Sequence, residues 1–314
     1  MRVVFMGSPE FARPILQVLL AGARVVGVVT QPDRPAGRGR ALRTPPVRQL
    51  AEAHGLPVIQ PARLRTPEAL DRLRAWQPEA IIVAAYGQIL PPAALEIPPL
   101  GCLNVHASLL PRWRGAAPVA AALLHGDPTT GVTLMQMDAG LDTGPILAQR
   151  AAPILPDDTA GRLAARLAGL GADLLSDCLP AIAARTLRAT PQDDRLATLA
   201  PPLRKQDGAL DWRLPAAQLE RRVRAFDPWP GAYAQWQGAP LRVLEARCGP
   251  PPGGRPGTVF EHDGFPAVAC AEGSLLLTRV RPAGRRPMTG QDFARGARGL
   301  LGSILPSPAE AAPP

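Results

Sequence analysis

Three side chains in this sequence can together move a proton and hold a developing oxyanion: Asn104, His106 and Asp142. Asn104 and His106 sit two residues apart in the apolar run Cys102–His106. Side chains two apart on a strand share a face, so both can point into one pocket. The amide is an uncharged hydrogen-bond donor, and imidazole titrates near neutral pH. Asp142 lies in the glycine-flanked stretch GLDTGPIL and is the third member. A carboxylate beside an imidazole favours the charged ring or itself accepts a proton. Taken alone, an Asn-x-His pair more often satisfies a strand end, and an aspartate between glycines more often builds a turn. Their place in the chain decides between those readings.

The elements around them read as an α/β sheet. Apolar runs at Arg2–Met6, Val25–Thr30, Val58–Gln60, Ala80–Ala85, Cys102–His106 and Gly131–Met137 read as strands. Between the earlier ones, Phe11–Leu20, Val47–His54 and Pro67–Trp76 have helical patterns, with Ser8 expected to cap the first. Near-continuous apolar strands alternating with helices imply a mostly parallel sheet covered on both faces. Right-handed crossovers make it doubly wound. Ligands of such sheets sit beyond the carboxyl ends of the strands. The turns Gly7-Ser8-Pro9 and Tyr86-Gly87, the loop after His106 and the loop at Asp142 are all expected there. No GxGxxG or Walker A motif is present, so a dinucleotide fingerprint is rejected.

A long Ala/Leu-rich helix is expected over Thr159–Arg185, followed by a polar, proline-broken linker. Past it, a helix at Pro215–Arg224 precedes five short β runs between Ala232 and Arg281. That texture suits a small OB-like β-barrel. The expected division is residues 1–186, a linker at 187–208, a barrel at 209–305 and an unstructured tail at 306–314.

The formal net charge of +9 points to a polyanionic partner. Lys205 is the only lysine, so arginine carries nearly all of it. Arg34, Arg38, Arg40 and Arg43 crowd a glycine-rich loop. Composition leaves that loop open between a solvated basic loop and a nucleic-acid contact. The four cysteines form no CxxC pair, so neither a metal site nor a disulfide framework is expected. No apolar run reaches the ~20 residues of a membrane helix. A cytoplasmic monomer is the expectation.

The segments MGSPEFA, TQPDRPAGRGR, AAYGQILP, LNVHASLLPRWRGAAP and TLMQMDAGLDTGPIL, then RAFDPWPGAY and RPAGRRPMTGQDF, occur in this order. Together they closely resemble the methionyl-tRNA formyltransferases, from Arg2 to about Gly296. The resemblance implies a Rossmann-like formyltransferase domain, a linker and a C-terminal barrel. It implies transfer of the formyl group of 10-formyltetrahydrofolate, as co-substrate and without a metal, to the α-amine of methionine on initiator tRNA. Asn104, His106 and Asp142 match the family's catalytic set. Ser108, Leu109, Leu110 and Pro111 match its folate-contacting segment. The stretches holding Tyr86, Gly87 and Leu90, and Asp138, would wall the pterin pocket. Arg34, Arg38, Arg40, Arg43 and the linker residue Lys205 would meet tRNA. Rival readings are a folate-dependent formyltransferase of a small amine or amino sugar, a 10-formyltetrahydrofolate hydrolase, and a non-enzymatic RNA-binding protein.

Overall fold

The apolar run Arg2–Gly7 (β1) is buried from Val3 onward, and Ala80–Ala84 (β4) is buried throughout. Strands this apolar need cover on both faces, which places them in the middle of a sheet. In the computed structural model they lie side by side and parallel. The structure describes residues 1–36, 41–251 and 254–308. The chain forms two compact units. The first takes Met1–Pro118, Thr129–Pro153 and Arg162–Pro201; the second takes Val119–Pro128, Ile154–Gly161 and the chain from Pro202.

The sheet of the first unit adds Arg24–Val29 (β2), Val58–Ile59 (β3), Cys102–His106 (β5), Thr129–Gln136 (β6) and Ile146–Pro153 (β7), in the order β7-β6-β5-β4-β1-β2-β3. From β3 to β5 every pairing is parallel. The chain steps outward from β1 to β3 and returns to β4 on the other side of β1, so the order switches between β1 and β4. Helices cover both faces. On one, Leu70 and Leu73 of the helix Pro67–Ala75 join Val4, Met6, Ile81, Val83 and Cys102 in one apolar cluster. On the other, the helix Ala160–Ala183 brings Gly171 so close that a Cβ there would lie 2.8 Å from Val105 Cγ1. The fold is a Rossmann-like α/β sheet of mixed direction.

Four expectations need correction. β6 pairs antiparallel with β5, and β7 antiparallel with β6. The loop after β6 therefore leaves from beside Cys102, at the amino end of β5, where Met137 N donates to Cys102 O at 2.7 Å. It is not at the carboxyl end. β7 was not expected as a strand at all, because this edge strand is only half-buried and lacks a continuous apolar run. Ser8 caps no helix: its Oγ accepts from Gln31 N at 2.9 Å, tying the loop after β1 to the loop after β2. The stretch read as a basic loop contains a short antiparallel pair, Arg34–Ala36 with Ala41–Arg43. Arg38 and Arg40 fall outside the described residues.

The second unit holds an antiparallel sheet of Tyr233–Trp236, Ala239–Gly249, Ser274–Pro282, Phe265–Ala269 and Val259–His262, in that spatial order. Register shifts between Val243 and Ala246 bend its longest strand. The sheet curls around Trp212, Leu219, Val223, Val243, Leu275, Leu277 and Phe293. The chain beyond Leu300 pairs back onto this sheet, Gly302 N donating to Val259 O at 2.8 Å and Leu305 N to Gly257 O at 2.9 Å. Ser307, expected in a loose tail, accepts from Trp212 N at 3.1 Å. Residues 309–314 lie outside the described residues.

Candidate active site

Alternation along β5 places Cys102, Asn104 and His106 on one face. Cys102 lies in the apolar cluster under the helices, and Asn104 and His106 lie farther along. The loop from Met137 to Pro145 folds back over this stretch. It brings Asp142 Oδ1 to 3.4 Å from Asn104 Nδ2 and Asp142 Oδ2 to 3.6 Å from His106 Nδ1. The three residues predicted as a site are therefore one cluster. His106 is 6% exposed.

The ring of His106 is oriented by a group that the sequence did not single out. Its Nε2 lies 2.9 Å from the carbonyl oxygen of Trp113. A carbonyl only accepts, so Nε2 carries a proton and the nitrogen facing Asp142 is Nδ1. The Trp113 side chain is itself buried, with the Arg112 guanidinium carbon 4.3 Å from its ring centroid.

Asp142 adopts a left-handed backbone, φ 53°. Its Oδ2 accepts from Gly115 N at 2.8 Å. Its own carbonyl and that of Gly144 accept from Gln192 Nε2 at 2.8 and 2.7 Å. Gly115 has φ 118°, and a Cβ on it would lie 2.7 Å from the backbone oxygen of Ala200. Both facts demand glycine. We expect Gly115→Ala to cost about 2 kcal/mol of stability, roughly 4–8 °C in Tm if the first unit melts by itself. Thermal denaturation checks it, and an unchanged Tm contradicts the strain argument.

The segment after His106 is held by Thr133 on β6. Thr133 Oγ1 donates to Ser108 O at 2.6 Å and accepts from Leu110 N at 3.1 Å and Gln149 Nε2 at 2.9 Å. Gln149 also donates to Leu110 O at 2.9 Å. Every valence of a buried hydroxyl is thereby used, and residues 108–110 are fixed. The unexpected strand β7, which carries Gln149, is what makes this lock.

Of the other predicted residues, Tyr86 and Leu90 follow β4 and are buried in the apolar cluster, against which Met137 also packs. Burial pushes the Tyr86 phenol well above its ordinary pKa, and its hydroxyl has no hydrogen-bond partner among the described residues. Gly87 follows Tyr86 with φ 82°, beside Gln31, whose amide donates to Tyr86 O at 3.1 Å. Leu109 and Pro111 are half-buried in the segment held by Thr133. Asp138 is exposed and turned into its own loop, accepting from Gly140 N at 3.0 Å and Thr143 Oγ1 at 2.7 Å. Arg34 and Arg43 are exposed on the short antiparallel pair. Lys205 is exposed in a single helical turn, Lys205–Gly208, of the second unit.

Cys102, on the same strand as Asn104 and His106, is a buried thiol, and burial pushes it up to about 12. Among the described residues no group of His, Cys, Asp and Glu could hold a metal ion.

Comparisons with known proteins give the family. The family described as formyl transferase matches residues 1–179, and the formyl transferase C-terminal domain matches residues 202–298. These two matches define the class: a two-part formyl transferase. The chain is 50% identical over 300 residues to methionyl-tRNA formyltransferase of Chloroflexus aurantiacus, covering 94% of this chain and 97% of that one. It is 52% identical over 308 residues to that of Acidithiobacillus ferrooxidans, covering 97% and 98%, and 55% identical over 300 residues to that of Halorhodospira halophila, covering 95% and 96%. The chain belongs to the methionyl-tRNA formyltransferase family.

Solved structures agree on the fold. An N-formyltransferase from Helicobacter canadensis, in complex with folinic acid and dTDP-3-aminofucose, is similar with TM-score 0.66 and 17% identity over 88% of this chain and 98% of that one. HypX from Aquifex aeolicus, in complex with tetrahydrofolic acid, gives 0.63 and 17% over 96% of this chain, which spans 48% of that protein.

Proposed function

We propose that this protein transfers the formyl group of 10-formyltetrahydrofolate to the α-amine of methionine carried on initiator tRNA. The observation that carries the reading is the meeting of Asn104, His106 and Asp142 in a chain about half identical, over nearly its whole length, to methionyl-tRNA formyltransferases.

When bound, 10-formyltetrahydrofolate supplies the formyl carbon and a nitrogen leaving group. The residues present suit it: Leu90 and Met137 bring two loops to one apolar cluster. Ile89 and Leu141, on the same loops, leave large apolar side chains exposed. A flat heterocycle would cover such surface, and the backbone of residues 108–111 would lie along it.

The chain's own groups account for the proton. With Nε2–H given to Trp113 O, the lone pair of neutral His106 is on Nδ1, facing Asp142 Oδ2 at 3.6 Å. Two acceptors at that separation fit an ammonium group with several N–H bonds. They orient the methionine amine and take its proton. The freed amine attacks the formyl carbon, and negative charge grows on the formyl oxygen. The Asn104 amide, and Nδ1–H once protonated, donate to that oxygen; one such donor is worth about 3 kcal/mol. In becoming an amide the amine nitrogen loses two protons: one goes to the departing nitrogen as the carbon–nitrogen bond breaks, and the other passes through the His106–Asp142 pair to solvent. Atoms then balance without a metal or a covalent enzyme adduct.

In this reading residues 1–186 do the chemistry, and 209–305 form an OB-like barrel that meets tRNA. Arg34, Arg38, Arg40, Arg43 and Lys205 neutralise tRNA phosphates. Arg38→Ala is then expected to weaken action on Met-tRNA and to lower the slope of log kcat/KM against log salt by about 1. An unchanged slope removes Arg38 from the contact.

The decisive assay offers 10-formyltetrahydrofolate with Met-tRNA, free methionine, an amino sugar nucleotide or water alone. Consumption only with Met-tRNA is expected. Consumption with water or an amino sugar would select one of the rival formyl-transfer readings.

A further inference from the structure

Residues 180–201 fall between the two family matches, which end at 179 and resume at 202. Composition marks them as linker. In the structure residues 190–200 belong to the first unit and bind its site loops. Thr190 and Ile146 exchange two backbone hydrogen bonds of 2.8 Å, just after the Asp142 loop ends. Farther on, Thr198 Oγ1 accepts from Trp113 N at 2.9 Å, Thr198 O from Arg114 N at 2.9 Å, and Ala200 O from Ala116 N at 2.9 Å. One segment therefore grips both loops that build the cluster: Trp113, whose carbonyl orients His106, and the loop of Asp142.

Gln192 joins the two. Its amide nitrogen donates to Asp142 O and Gly144 O, and its oxygen accepts from Arg114 Nε at 3.0 Å and Nη2 at 2.8 Å. Guanidinium only donates and carbonyls only accept, so the amide has one possible orientation and all four of its valences are filled. Arg114 is itself fixed: its side chain is 7% exposed and pairs with Asp194 at 2.7 Å. Its neighbour Gly115 supplies the N–H that holds Asp142 Oδ2. The left-handed backbone of Asp142 is thus clamped from both sides, at the carboxylate and at the carbonyl.

We propose that Gln192 is a positioning residue for the formyl transfer, and that residues 190–200 are a strap of the catalytic unit. The inference rests on the reading of Asp142 as a catalytic group. Without the two N–H donors of Gln192, the Asp142 loop loses its register to His106 while the substrate-binding segments keep theirs.

Gln192→Glu tests this, because it keeps acceptors for Arg114 and removes both donors. The expected result is a fall in kcat of about 10–100-fold, the scale of a small misplacement of a reacting group. KM for both substrates should stay within about twofold. In an Asp142→Asn background the same substitution should change kcat by less than about twofold, since residues acting as one unit are not additive. Wild-type kcat in Gln192→Glu overturns the proposal, as does an equal loss in both backgrounds, which is what a merely structural role gives. Full turnover in Asp142→Asn alone would instead remove the catalytic reading and the proposal with it. Should Gln192→Glu not fold, Gln192→Met is measured in the same way against the same outcomes.

Discussion

Alanine in place of His106 is expected to lower kcat by about 10²–10⁴-fold, the usual contribution of a positioned acid–base group. That corresponds to about 3–5 kcal/mol at the transition state. The reason is geometric. His106 is the one side chain in the cluster with a nitrogen lone pair, and the Trp113 carbonyl turns that nitrogen toward Asp142. Without it the methionine ammonium has only a carboxylate to take its proton, and the formyl oxygen loses a donor. Measured with both substrates saturating, the loss should appear in kcat, with KM little changed. The side chain is buried, so thermal denaturation must accompany the kinetics. Near-normal kcat in a folded variant would show that His106 moves no proton. A rise in KM alone would make it a binding residue.

Asp142→Asn is expected to cost about 10²–10³-fold in kcat. The substitution keeps the shape and one oxygen, so the bond from Gly115 N at 2.8 Å can survive and the loop can hold its place. The charge opposite His106 Nδ1 is lost, together with an acceptor for the ammonium. The expected loss is smaller than for His106 because the imidazole still accepts a proton. Two results would contradict this: unchanged turnover, or a Tm drop large enough to explain the whole loss by unfolding. Combining the two substitutions should give little more than His106→Ala alone, since both act on one proton.

Much of this site is legible in the chain because its chemistry sits on local pattern. Asn104 and His106 share a face by the two-residue period of a strand, and the apolar run around them places that strand inside a sheet. The Asp142 loop was expected to end beside them, and it does, but by another route. The expectation put it at the carboxyl end of a parallel strand. β6 instead runs antiparallel to β5, and the loop leaves at the opposite end and folds back. Strand direction depends on pairing between segments, which no single segment encodes. β7 escaped for a related reason: an edge strand, half in solvent, needs no continuous apolar run.

The positioning groups left no local signal. Gln192 lies in a stretch whose polar, proline-rich composition reads as linker, yet it touches residues 50, 48 and 78 positions away. Gly115 looks like one more turn glycine until Ala200 is seen against it.

The order of residues along the chain was enough to determine the alternation of apolar strands with helices, the three side chains that the structure brings together and the family, since periodicity and motif spacing are carried by neighbours. Tertiary structure alone decided the direction of β6, the orientation of the His106 ring and the hydrogen bonds that residues 190–200 make to the loops of Trp113 and Asp142. Those depend on hydrogen bonds between backbone and side-chain groups far apart in the chain, whose partners are chosen only when the sheet has formed.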